Sequence, residues 1–188
     1  MRKTKHLLED TLVADDATLG RQQRWVSGNV DQAERQARYH QKPKLILITG
    51  TDETKLNDTA ARLERGLFEA GRYVHFLGLP NLIRGLGADA TFDQLARDEH
   101  VRRLGELGRL FADAGCILIT AASDLDLADV RLLGLLSRPA ETLVITIGEQ
   151  LCEATAALML SDQSSVEDSV DRIVALLLER EVILDYQI

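Results

Sequence analysis

At 188 residues, with 22 basic against 30 acidic side chains and a net charge of −8, the chain is about one domain long and has the wrong sign for a phosphate backbone. Apolar residues make up 45% of it, enough to bury a core without staples. This balance excludes nucleic acid and an anionic membrane surface as partners. No apolar stretch reaches the roughly 20 residues of a spanning helix, and MRKTKHLLED turns polar too early for a signal peptide, so a cytoplasmic protein is expected.

Residues 1–42 are charged and glutamine-rich, with few aliphatic residues, and read as an N-terminal arm or linker. Within the arm, DQAERQARYHQK suits a short polar helix that Pro43 would end, and Trp25 is a ring expected to dock on the parent domain or a partner. From residue 43 to residue 188 the pattern changes to that of an α/β domain. The apolar runs KLILIT, YVHFLGL, CILITAA and TLVITIG lack polar alternation, as strands buried on both faces do. Helical segments separate them: Leu56 to Ala70 closed by Gly71, Phe92 to Ala114 closed by Gly115, and a shorter one near Ala128 to Leu136. A last helix follows Ser164 or Ser165 as cap, its apolar face built from Val166, Val170, Ile173, Val174 and Leu177. Strands alternating with helices predict a mostly parallel sheet flanked by helices.

Cys116 and Cys152 belong to no CxxC pair and read as buried free thiols. His6, His40, His75 and His100 lack the spacing of helical metal ligands, so no metal site held by side chains is expected. His75, inside an apolar run, reads as a packed histidine. Asp124, Asp126 and Asp129 read as acids of a helix's first turn before they read as a metal cluster.

The first strand runs into LILITGTDETKLND, where a phosphate-binding loop would lie. Such a loop is GxxxxGK[ST]: glycines let backbone amides close on phosphate, the lysine neutralises it, and the hydroxyl holds magnesium. Gly50 occupies the first position. Lys55 then falls on the second glycine, Leu56 on the lysine and Asn57 on the hydroxyl, with Asp58 following. Asp52 and Glu53 add negative charge where a triphosphate would sit, and unit charges 4 Å apart repel by about 4 kcal/mol at an effective dielectric of about 20. The plainer reading is a strand, a turn and an acid-rich helix start.

Four stretches beyond this loop carry a family likeness: RWVSGNVDQAERQARYHQKPKLILITG, NLIRGL, GLGADATFDQLARDEHVRRLGELGRLFADAGCILITAAS and SSVEDSVDRIVALLLEREVI. Together they resemble the adenylylsulfate kinases, which phosphorylate adenylyl sulfate with ATP during sulfate activation. The resemblance implies a three-layer P-loop NTPase-like fold. It places Gly50, Lys55, Asn57 and Asp58 at nucleotide positions. Phe92, Arg97 and Ser123 fall on positions that contact adenylyl sulfate, Asn81 falls on the asparagine of the family's DGDN, and with His100 these five make up the implied residual substrate site.

The departures matter as much. His100 replaces the asparagine of the family's DRxEN, while Gly78 and Pro80 replace both aspartates of DGD, removing the base candidate. After Ser123, Asp124 and Asp126 stand where the family has a proline and an arginine. Only EQLCEATAALMLSDQ separates the fourth strand from the last helix, where the family has a lid. The expectation is therefore an inactive relative with no catalytic residues and no cofactor, serving as a binding, regulatory or scaffolding partner. The implied partners are a second copy, giving a homodimer, or sulfate-activation proteins such as ATP sulfurylase. The alternatives are an active or weak kinase using Mg-ATP, with Lys55, Asn57 and Asp58 around the phosphates and Arg97 and Ser123 around the substrate, or a sensor that binds nucleotide or adenylyl sulfate without turnover.

Overall fold

The computed structural model describes residues 28–78, 81–82, 94–123, 125–148 and 156–184, and not the side chains of residues 94–98. Trp25, Pro80, Phe92, Asp124 and Cys152 lie outside the described residues. The chain divides into two compact units, Met1–Asp31 and Gln32–Ile188, and the first is described only over residues 28–31.

Within the second unit the described elements are α1 (Gln32–Tyr39), β1 (Lys44–Gly50), α2 (Glu53–Glu69), β2 (Val74–Phe76), α3 (Gln94–Asp113), β3 (Ile117–Ser123), α4 (Leu127–Leu136), β4 (Thr142–Ile147), β5 (Leu158–Leu160) and α5 (Val166–Glu179). The strands form one sheet in the order β2-β3-β1-β4-β5, and every pairing is parallel. Central position explains the composition of β1: Leu45 to Gly50 are all buried, because helices cover both faces. Leu56, Leu63 and Leu67 of α2 pack with Ile173 and Leu177 of α5 against Ile46, Ile48, Ile119 and Ile145 on one face. Val101 and Leu104 of α3 pack with Val130 and Leu133 of α4 against Leu47, Ala122 and Val144 on the other. Full burial of each such side chain stabilises by about 1.5–3 kcal/mol.

Helix boundaries follow local chemistry. Asp52 caps α2, accepting from the Lys55 amide, and Ser165 caps α5, accepting from the Asp168 amide. Asp126 and Asp129 form a reciprocal capping box at the start of α4, so Ser123 does not cap that helix. Gly71 and Gly115, at φ +74 and +82, take the left-handed conformation that stops α2 and α3.

Two elements differ from the sequence reading. The run YVHFLGL pairs only through Val74–Phe76, because β2 lies at the sheet edge; there His75 is half exposed, stacked on Phe111 at 5.6 Å, and is not a packed core residue. β5 is a fifth strand at the opposite edge. Its three residues, with Met159 exposed, are too short to carry a periodic signal.

At the N-terminal end of the sheet the chain's two tails are stitched together. The buried Gln41 side chain donates to the carbonyls of Tyr73 (2.6 Å) and Gly115 (2.9 Å) and accepts from the Tyr73 amide (2.9 Å). Lys42 donates its amide to Val182, and the Arg72 guanidinium donates to the carbonyls of His40 and Leu184. No helix among the described residues is long and apolar enough to cross a membrane.

Candidate functional site

In open parallel sheets ligands bind beyond the carboxyl ends of the strands. Three strands end together here: Gly50 of β1 pairs with Ser123 of β3 on one side and with Ile147 of β4 on the other. The register therefore brings together two residues that are 73 positions apart by number (123 − 50) and that the sequence placed in separate sites.

Gly50 has a reason of its own to be glycine. A Cβ at that position would lie 2.2 Å from the Ile147 carbonyl oxygen and 3.3 Å from Leu56 Cδ2. The close passage of β4 forbids a side chain whatever occupies the loop. Beyond Gly50, Asp52 Oδ1 accepts from the Lys55 amide at 3.1 Å, and the Lys55 ammonium reaches the Asp162 carbonyl at 2.5 Å. Lys55 thus straps the first turn of α2 to the turn that follows β5. Asn57 is half-buried; Asp58 is exposed and lines an open groove of about 790 Å³ between α2 and α5, beside Arg62, Arg65, Val166 and Val170. The groove is closed on itself electrostatically, with Arg62 3.3 Å from Glu167 and Arg65 2.6 Å from Glu69.

Of the substrate positions, Phe92 lies outside the described residues, and Arg97 is placed only as a residue of α3. Asn81 is exposed, its amide donating to the Gly78 carbonyl. Ser123 is half-buried at the end of β3. His100 is 7% exposed on α3, and its Nε2 has no hydrogen-bond partner. The cations next to it are engaged: Arg102 donates to Glu99 and Glu106, and Arg103 Nε donates to Glu99. The Arg102 hydrogen bond, aided by Arg103, holds the Glu99 carboxyl at about 2. Burial pushes the Cys116 thiol up to about 12, which makes it an inert core group.

Sequence reasoning missed two features of this end of the sheet. Asp162 has no motif around it that would announce it as the partner of Lys55. The hydroxyls of Thr49 and Thr146, buried and without partners, were announced only by threonine at the end of an apolar run. Among the described residues no group of histidines, cysteines and carboxylates is placed to hold a metal ion.

Residues 42–124 match the family described as adenylylsulphate kinase. The chain is 38% identical over 97 residues to the adenylyl-sulfate kinase of Shewanella denitrificans, covering 52% of this chain and 47% of that protein. It is 37% identical over 97 residues to that of Aeromonas hydrophila, covering 52% and 49%. The chain thus spans about half the length of the curated relatives it matches. Its fold is similar to that of the APS kinase of Mycobacterium tuberculosis, with TM-score 0.67 at 24% identity over 73% of this chain and 98% of that one. It is also similar to a hexameric APS kinase from Thiobacillus denitrificans, with TM-score 0.68 at 19% identity over 80% and 32%. These neighbours are P-loop kinases, and the three-layer α/β P-loop fold expected from the sequence is the one observed.

Proposed function

We propose that this chain, whose residues 42–124 match the adenylylsulphate kinase family, is a relative that no longer transfers phosphate and acts as a binding or scaffolding partner linked to sulfate activation. One observation carries this reading: at the start of α2 the chain supplies its own ions to the groups that phosphate would need. The Asp52 carboxylate takes the Lys55 amide, and the Lys55 ammonium is spent on the Asp162 carbonyl. Magnesium triphosphate does not suit these residues. A phosphate loop closes its amides on the ligand around glycine, whereas here a lysine side chain fills that position, leucine replaces the phosphate-binding lysine, and Asn57 offers no hydroxyl for magnesium. Gly78 in place of an aspartate leaves no carboxylate there to take a proton from an attacking hydroxyl.

Titration calorimetry of the full chain with Mg-ATP, run beside an assay of ATP-dependent phosphorylation of adenylyl sulfate, tests this reading. The expected result is no binding heat and no turnover. Turnover of about 1 per second or more, or micromolar ATP affinity abolished by Lys55→Ala, overturns it. The partner half of the proposal is tested by co-purification from the native cell together with the chain's mass in solution. A second copy or a sulfurylase-type partner is expected, and recovery of a lone monomer counts against it.

A second reading, a sensor of adenylyl sulfate, is favoured by the adjacency of Ser123 and Gly50 in register. Binding of adenylyl sulfate without ATP, weakened by Ser123→Ala and by Arg97→Ala, would select it.

A further inference from the structure

Six buried side-chain polar atoms among the described residues have no hydrogen-bond partner, and three of them are His100 Nε2, Thr49 Oγ1 and Thr146 Oγ1. Side chains alternate along a strand, so Thr49 shares the face of Leu47, and Thr146 the face of Val144. Leu47 and Val144 both pack in the core beneath α3 and α4. Thr49 and Thr146 are direct partners in the register of β1 and β4, so their hydroxyls emerge side by side.

The position of His100 follows from the helix above. α3 joins two neighbouring parallel strands, β2 and β3, and must run against the strand direction. His100, Leu104 and Gly108 form one i, i+4, i+8 row along it. The foot of that row is fixed, because a Cβ on Gly108 would lie 3.2 Å from Leu45 Cδ2, and Leu104 shares a cluster with Leu47. Eight residues of helix from Gly108 back to His100 span about 12 Å. Four residues of strand from Leu45 to Thr49 span about 13 Å. The two steps match, so His100 arrives at the level of the Thr49–Thr146 pair.

We propose that His100, Thr49 and Thr146 together hold a buried water molecule between α3 and the carboxyl ends of β1 and β4. A polar atom buried without a partner is destabilising, and three at one level of the fold are stabilised by a shared hydrogen-bonding molecule. Two hydroxyls and an imidazole nitrogen donate or accept as required, and a buried water makes two to four such bonds. With no clustered cations or carboxylates among the three, water suits them better than an anion or a metal ion. The water ties the helix carrying His100 to the strand ends next to Gly50 and Ile147, which makes His100 a positioning residue for that edge. The inference stands on this packing and is independent of whether phosphoryl transfer has been lost.

Water-selective nuclear Overhauser measurements on the full chain, combined with isosteric Thr49→Val and Thr146→Val variants, test the proposal. Long-lived water cross-peaks at both threonines are expected in the unmodified protein. Each valine should lower Tm by about 2–4 °C, and neither loss should add fully to that of His100→Leu. Absence of the cross-peaks, or valine variants that raise Tm independently of His100, overturns the site. If His100→Leu does not fold, the pair of valine variants decides the matter, since valine keeps the shape of threonine.

Discussion

The two ends of the sheet are finished differently. At the N-terminal end side chains tie separate segments together: Gln41 uses both its amide nitrogen and its oxygen, Lys42 pairs with Val182, and Lys44 donates to Glu141 at 2.6 Å, while Arg72 Nε is left buried without a partner. At the carboxyl end Thr49 and Thr146 are buried without protein partners, and the first turn of α2 is held by its own Asp52 and Lys55. Ladder chemistry is the same at both ends, so the contrast lies in side chains. The N-terminal end closes the fold, and the carboxyl end is where a P-loop sheet would normally present its site.

The largest way to break this contrast is Gly50→Ala. Its methyl would meet a backbone carbonyl that cannot swing aside, and a loss of about 3 kcal/mol or more in urea unfolding is expected. A near-neutral result would show that β4 yields at the carboxyl end. Gln41→Ala attacks the other end: the Tyr73 amide and the Gly115 carbonyl lose their side-chain partner, while the Tyr73 carbonyl keeps the Ile117 amide; about 1–3 kcal/mol should be lost, and a loss below about 0.5 kcal/mol would mean water replaces the side chain. Ser165→Ala removes only the cap of α5, a change of about 1 kcal/mol visible as a shift in the same unfolding curves.

The smallest effect concerns pH. The Glu99 carboxyl is depressed to about 2 in the folded chain from its ordinary 4.5, through Arg102 first and Arg103 after it. Its contribution is therefore complete above about 4.5 and is lost as pH falls from there through about 2. Solvent screening of this partly exposed pair limits the effect to about 1 kcal/mol or less. Glu99→Gln should flatten the acid limb of the stability profile, and an unchanged limb would remove this network from the account.

Much of the architecture was legible because it is written in local chemistry. KLILITG reads as a doubly covered strand, Gly71 and Gly115 as helix stops, and Asp126 with Asp129 as a helix start; the structure has each of them. His75 was misjudged because a strand's place in the sheet order, at the edge or in the middle, is not a local property. β5 went unread because three residues carry too little pattern. At the candidate site, the residues that follow Gly50 could be read directly, but the partner of Lys55 could not, since Asp162 offers a backbone carbonyl and every residue has one.

By itself the sequence determined the alternation of strands and helices, the glycine stops and the acid-rich helix starts, because each depends on neighbours within a few residues. Only the tertiary structure decided the strand order, the meeting of Gly50 with Ser123 and Ile147, and the pairing of the buried Thr49 with Thr146. Those depend on register and helix direction, which join residues that no local preference connects.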